Sequence, residues 1–202
     1  MSQAWPVAAP GAAAVPPQRI MIWDIVVRVF HWTVVAGVTA NLFLAEGSKH
    51  AHHRIGYLVL VAVAVRLVWG LVGTRHARFS DFVPRPARLW SYAKALLARR
   101  EPRYVGHNPA GAVMMIALIV LLAVCGVTGW MQTLDAFWGV PWVQDLHEAA
   151  ANIIMVLAGL HIFAAVRESV RHRENLIWSM ITGRKRASSG SDVDHATASG
   201  RR

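Results

Sequence analysis

Leu146-His147-Glu148-Ala149-Ala150-Ala151-Asn152-Ile153-Ile154-Met155-Val156-Leu157-Ala158-Gly159-Leu160-His161 is an apolar, helix-compatible run with a histidine at each end. Each residue of an α-helix advances by ~100° and ~1.5 Å, so a separation of fourteen returns His161 to nearly the face of His147, about 21 Å further along the axis. One such helix can offer ligands to two stacked metal centres. Ionisable side chains inside a membrane span are costly, face the bundle interior and serve function. The plain alternative, for either histidine alone, is a hydrogen-bonded interfacial residue. Two other apolar runs that carry a histidine at matching depth weigh against it.

Composition places this run in a membrane. Apolar residues make up 55% of the 202-residue chain and charged residues 16%, whereas a soluble domain is about one quarter charged. Four runs approach or exceed the ~20 residues that cross a hydrocarbon core: 25–45, 55–72, 110–131 and 146–166. The third holds no charge and the second only Arg66. A water-soluble bundle needs a polar stripe on every helix, and the third run has none. The expected fold is therefore all-α, a four-helix transmembrane bundle occupying 23–186. It is flanked by a disordered Ala/Pro-rich lead-in at 1–22 and a disordered Ser/Asp/Gly-rich tail at 187–202. The lead-in lacks the basic start and continuous apolar core of a secretory signal.

The net charge of +10 is explained by topology. Arg75, Arg78, Arg85, Arg88, Lys94, Arg99, Arg100 and Arg103 lie between the second and third runs, and Arg167, Arg171, Arg173, Arg184, Lys185 and Arg186 follow the fourth. The other two connectors are poor in Lys and Arg. This alternation is the positive-inside pattern. It predicts a multi-pass protein of a bacterial cytoplasmic (inner) membrane with both termini cytoplasmic, in contact with anionic lipid and not with nucleic acid. Within the long basic connector, Leu89, Ala93, Leu96 and Leu97 share one helical face, which predicts a cytoplasmic amphipathic helix at the interface between helices 2 and 3. Trp23, Trp69, Trp130, Trp138, Trp142 and Trp178 read as an aromatic belt. Cys125, the one cysteine, rules out an internal disulfide and covalent CxxCH haem attachment, and reads as a small packing residue.

His31 in the first run and His161 late in the fourth fall at one depth, in the cytoplasmic half. His147 lies near the outer surface, and its partner should come from His50, His52 or His53 at the start of the second run. His52 stands four residues before Gly56, which puts the glycine beneath it and leaves room for a flat ligand; His53, about a quarter turn away, is the runner-up. No carboxylate or thiol completes a tetrahedral zinc set at the His31/His161 level. Haem needs only two trans imidazoles and an apolar slot, which bundle cores supply. Arg66 in the second run either pairs with an inner haem propionate or extends to the headgroups. Arg28 has Asp24 at i−4 for a plain salt bridge. His76 and His107 in the connector read as solvated or structural.

The chain resembles the bacterial cytochrome b561 family, which includes the cytochrome b subunits of nickel-iron hydrogenases. The resemblance covers roughly 23–186 and rests on the order and spacing of several segments. These are Trp23-Asp24 through Arg28-Val29-Phe30-His31-Trp32, the step from His52 to Gly56-Tyr57, Arg66-Leu67-Val68-Trp69-Gly70 and Gly73-Thr74-Arg75-His76-Ala77-Arg78-Phe79. Gly106-His107-Asn108-Pro109, His147-Glu148 with Ala151-Asn152, and Arg173-Glu174-Asn175-Leu176 through Gly183-Arg184-Lys185-Arg186 continue it. The family implies four transmembrane helices and two haem b groups, with ligands at His31, His52, His147 and His161.

Two function classes follow. The first is a membrane carrier of single electrons between a redox partner, a c-type cytochrome or a hydrogenase, and the quinone pool, with quinone a second candidate ligand. The second is an enzyme, a superoxide-to-quinone oxidoreductase that would draw its anion by outer-surface charge. The outer connectors, with Asp135, Asp145 and Glu148 against Lys49 and Arg54, are slightly acidic and favour the carrier. The sequence leaves both a monomer and a homodimer open.

Overall fold

The computed structural model describes residues 18–43, 47–190 and 192–194. In chain order these form β1 (Arg19–Met21), α1 (Ile25–Phe43), α2 (Lys49–Val72), α3 (Phe79–Phe82), α4 (Pro86–Leu97), α5 (Pro109–Met131), a 3₁₀ turn (Asp135–Phe137), α6 (Pro141–Arg171), α7 (Leu176–Thr182) and β2 (Arg184–Arg186). Helices α1, α2, α5 and α6 are long and apolar enough to cross a membrane, and the chain is a multi-pass membrane protein. Leu71 and Phe163 are 73% and 68% exposed, as suits an apolar surface turned to lipid.

Local chemistry sets the helix ends and moves some of them from where hydropathy alone puts them. Ser48 caps α2, its hydroxyl accepting from the Ala51 N–H at 3.3 Å, so the helix starts at Lys49 and takes in all three clustered histidines. Pro141 opens α6 well before the apolar run, since the first helical position tolerates a missing N–H. His147 and Glu148 therefore lie inside the helix and not at its first turn. Asn108, followed by Pro109, caps α5 through Gly111 N–H at 2.6 Å. The end of the 25–45 run lies outside the described residues.

Among the described residues, backbone packing runs in a row: α1 on α2, α2 on α5, and α5 on α6. Neither α1 nor α2 is packed comparably against α6. Small residues set two of these approaches. A Cβ on Gly37 would stand 2.5 Å from the Val59 side chain, and one on Gly126 would stand 2.8 Å from Leu60. Val59, Val63, Ile119, Leu122 and Ile154 form the buried core between the helices.

The basic end carries more structure than the bundle requires. Ile22, Trp23, Val27, Ala77 and Val105 make a second core there. β1 pairs antiparallel with β2, in the register Arg19↔Arg186, Ile20↔Lys185 and Met21↔Arg184. The Gly183 carbonyl accepts from the Ile22 and Trp23 N–H groups at 2.8 and 3.0 Å. Buried Arg103 binds Glu174 through two nitrogens at 3.0 and 2.9 Å, Asp192 at 2.6 Å and the Arg186 carbonyl at 2.7 Å. Val193 bridges to Tyr104 in parallel. Within the flanking segments, the Ala187 N–H donates to the Gln18 carbonyl at 2.8 Å and the Ser189 N–H to Asp192 at 3.0 Å. The remainder of those flanks lies outside the described residues. Helix α4 turns Leu89, Tyr92, Ala93 and Leu96 inward and leaves Trp90 and Leu97 exposed, so Leu97 falls off the stripe expected for it.

Candidate functional site

Histidines stand at two levels of the bundle, and at one of them two rings face each other. At the end away from the basic connector, His52 of α2 and His147 of α6 have ring centroids 6.1 Å apart and planes crossed at 68°. His52 is half-buried while His50 and His53 are exposed. The Asn41 amide of α1 donates to the His52 carbonyl at 3.3 Å and fixes this end of α2. His147 leans on α5, with its Nδ1 2.9 Å from the Cys125 carbonyl oxygen and 3.2 Å from the Thr128 hydroxyl. Gly129 makes the room: a Cβ there would stand 3.0 Å from His147 Cε1. At Gly56 a Cβ would meet only the Asn41 amide nitrogen, at 4.0 Å, so the space beneath His52 is open.

At the second level stand His31 of α1 and His161 of α6, both half-buried. The Nδ1 of His31 is buried without a hydrogen-bond partner. Trp32 packs edge-on to His31 at 5.0 Å and donates to the Met180 carbonyl at 3.3 Å, which ties this level to α7.

Arg66 is 1% exposed. Its Nη2 donates to the Ala77 carbonyl at 3.0 Å, and its guanidinium lies 5.0 Å over the Phe79 ring. Nη1 is buried and unpartnered. Held this way, the side chain does not reach for the headgroups. Arg28 donates instead to the Ile181 carbonyl at 2.7 Å, and no Asp24–Arg28 side-chain bridge forms among the described residues. Asp24 caps α1 through the Val27 N–H at 2.9 Å and accepts from the Trp69 indole at 3.0 Å and from the Thr74 hydroxyl. These bonds to the carboxylate outweigh its burial and hold its pKa below the usual value.

His107 is not solvated. Its ring lies 4.6 Å from Trp23 and 4.8 Å from Phe82. Although the residue as a whole is half-buried, its Nδ1 is shut off from solvent and unpartnered. Burial, with Lys185 and Arg66 nearby, pushes its pKa down to about 3. His76, 3.8 Å from Asp194, shares with His107 a cavity of about 20 Å³. Burial also brings Lys185 down to about 8, against the pull of Glu174.

The His52/His147 spacing suits a planar group held between two imidazoles, and the buried, unpartnered Nδ1 of His31 leaves a donor atom free at the other level. A metal–imidazole bond of about 2 Å plus the ring radius on each side puts two trans rings roughly 6 Å apart between centroids, as His52 and His147 are. Among the described residues no three His, Cys, Asp or Glu side chains converge as a metal site, and the histidine pairs are the candidate donors. The pairs span α1–α6 and α2–α6, the helix pairs that are not closely packed. Thr128, the Cys125 carbonyl and Gly129 were not among the residues singled out from sequence. The one legible signal was a hydroxyl beside a glycine in an otherwise apolar helix.

The family described as prokaryotic cytochrome b561 matches residues 22–183. Proteins named probable Ni/Fe-hydrogenase B-type cytochrome subunit are similar over most of their length. That of Bradyrhizobium diazoefficiens is 25% identical, covering 88% of this chain and 90% of its own. That of Azotobacter vinelandii is 27% identical, covering 81% and 87%. The corresponding hydrogenase 1 protein of Escherichia coli is 21% identical, covering 80% and 88%. No solved structure matches the chain.

Proposed function

The chain belongs to the prokaryotic cytochrome b561 family, and from that membership we propose that it is a di-haem membrane cytochrome that passes single electrons through the bundle. The observation that carries this reading is the arrangement of two histidine pairs at two levels, with α6 contributing to both. His31 and His161 would hold one haem b, and His52 and His147 the other. Haem b, when bound, supplies a one-electron Fe(III)/Fe(II) couple. The protein's part is to hold that couple in place and shield it. Two imidazoles for each haem would leave no iron position free, which favours electron transfer over chemistry at the metal. Arg66, with Nη1 unpartnered, would neutralise a carboxylate of the inner haem, and Gly56 would leave the slot beneath His52.

The distribution of Lys and Arg supports a bacterial inner-membrane location with both termini cytoplasmic. The His52/His147 level is then the outer one, and α4 lies at the inner interface. The relatives' names support a hydrogenase as redox partner, with a c-type cytochrome the alternative and quinone the acceptor. A superoxide-to-quinone activity is the weaker reading, because Asp145 and Glu148 oppose the attraction of an anion to the outer level.

A pyridine haemochrome assay on His→Ala variants tests the assignment. The wild type should hold two haems. His31→Ala and His161→Ala should each lose the same one, and His52→Ala and His147→Ala the other. Retention of both haems in His52→Ala, with a loss in His53→Ala, would shift the outer site to His53. A large spectral change when the reduced protein meets carbon monoxide would expose an open iron and end the pure-carrier reading.

A further inference from the structure

The two levels differ in what stands behind their histidines. The Nδ1 of His147 lies 2.9 Å from the Cys125 carbonyl oxygen and 3.2 Å from Thr128 Oγ1. Cys125 Sγ is further off, at 3.7 Å from Nδ1 and 4.0 Å from Nε2, and is at most a weak donor. The Thr128 hydroxyl spends its one proton on α5 itself, at 2.8 Å from the Val124 carbonyl and 3.1 Å from that of Cys125. Towards His147 it can therefore only accept, as a carbonyl must. Both strong neighbours of Nδ1 are acceptors, so Nδ1 carries the ring proton and Nε2 keeps the lone pair. Thr128 is 3% exposed, so no water competes for this contact. At the other level the Nδ1 of His31 has no partner.

We propose that Thr128 and the Cys125 carbonyl, with Gly129 giving access, act as a positioning shelf that fixes His147 as an Nε2 ligand and makes it a stronger electron donor than His31, whose Nδ1 has no such support. A ring whose N–H is donated to oxygen is a more basic ligand, and such outer partners tune a bound metal. A more basic ligand favours ferric iron and lowers the reduction potential. The structure thus assigns to α5, which offers no ligand of its own, the task of setting the outer haem's potential below the value that an unsupported histidine would give. The inference rests on the di-haem reading and adds residues that this reading does not use.

The test is a potentiometric titration of the full-length purified protein, followed in the haem absorption bands, with haem content measured alongside. Thr128→Val removes one of the two acceptors while keeping the branched shape. It should leave two haems per chain, raise the potential of the outer haem and leave the inner one unchanged. Thr128→Ser should restore the wild-type value. Gly129→Ala, whose Cβ would press on His147 at 3.0 Å from Cε1 and 3.3 Å from Nδ1, should push the ring off its acceptors, move the outer potential the same way and provide the answer if Thr128→Val does not fold. Two haems with neither potential moved in the variants would overturn the shelf while leaving the di-haem reading intact. Fewer than two haems in the wild type would overturn that reading and the shelf with it.

Discussion

Replacing Arg66 by Met should have opposite consequences with and without haem. Without haem, Arg66 is a cation 1% exposed, with one carbonyl bond at 3.0 Å and a buried Nη1 that bonds to nothing. Such a charge costs several kcal/mol of desolvation. Methionine fills similar space without the charge, at the expense of an unpaired Ala77 carbonyl, roughly 1–3 kcal/mol. The apoprotein should therefore be as stable as the wild type or more so. With haem, removing one partner of a buried pair costs ~3–5 kcal/mol. At about 1.4 kcal/mol per tenfold change in affinity, the inner haem should bind roughly two to three orders of magnitude more weakly. Thermal unfolding in micelles, on apo and haem-loaded protein, gives the first quantity. The rate of haem transfer to an apo-globin scavenger, resolved for the two haems by their spectra, follows the second. Equal destabilisation of both forms would reduce Arg66 to a packing and hydrogen-bonding residue. Loss of the outer haem would place it at the wrong level.

Acid should loosen the basic end through His107. Its folded pKa of about 3 lies below the ordinary histidine value of 6.5, so the stability it confers is full above pH 6.5 and is lost as pH falls from there towards 3, by up to about 1.4 kcal/mol per pH unit. Unfolding midpoints of His107→Phe should fall less steeply than those of the wild type in that window, and parallel curves would contradict the assignment. Arg103→Met strands Glu174 and Asp192, should cost ~3–5 kcal/mol, and should open 187–194 to proteolysis; Arg103→Lys should not rescue it, since a lysine cannot match the fork that Glu174 accepts. Single cysteines at Ser91 and Asp135 in a Cys125→Ser background, labelled on intact cells with an impermeant thiol reagent, should react at Asp135 and not at Ser91. The converse would reverse the topology.

What was legible in the sequence was whatever the helix repeat fixes locally. The separation of fourteen positions from His147 to His161 dictates one face and two levels in any α-helix, and the apolar length of 110–131 left no alternative to a span. Helix ends were less legible, because they are set by single capping groups that leave hydropathy unchanged. Ser48 and Pro141 extend α2 and α6 beyond their apolar runs. Arg66 was visible as a charge in an apolar run, but its orientation was not. That depends on where a connector carbonyl, Ala77, comes to lie after the chain has turned back.

The basic end shows why the rest was hidden. Arg103 reads in sequence as one more arginine of a topogenic connector, yet it meets Glu174 and Asp192, 71 and 89 residues away, and is buried by them. A charge count gives the same total whether the arginine is solvated or locked, so composition cannot tell the two apart; only the fold brings the carboxylates within reach. The same holds for His147, whose acceptors Cys125 and Thr128 stand on another helix. Position along one helix tells which residues can be ligands, and packing between helices decides how each ligand is held. For this bundle the second question belongs to α5 at the His52/His147 level and to the connector and α7 at the His31/His161 level. The two histidine levels therefore need not behave alike, although the sequence presents them as a pair.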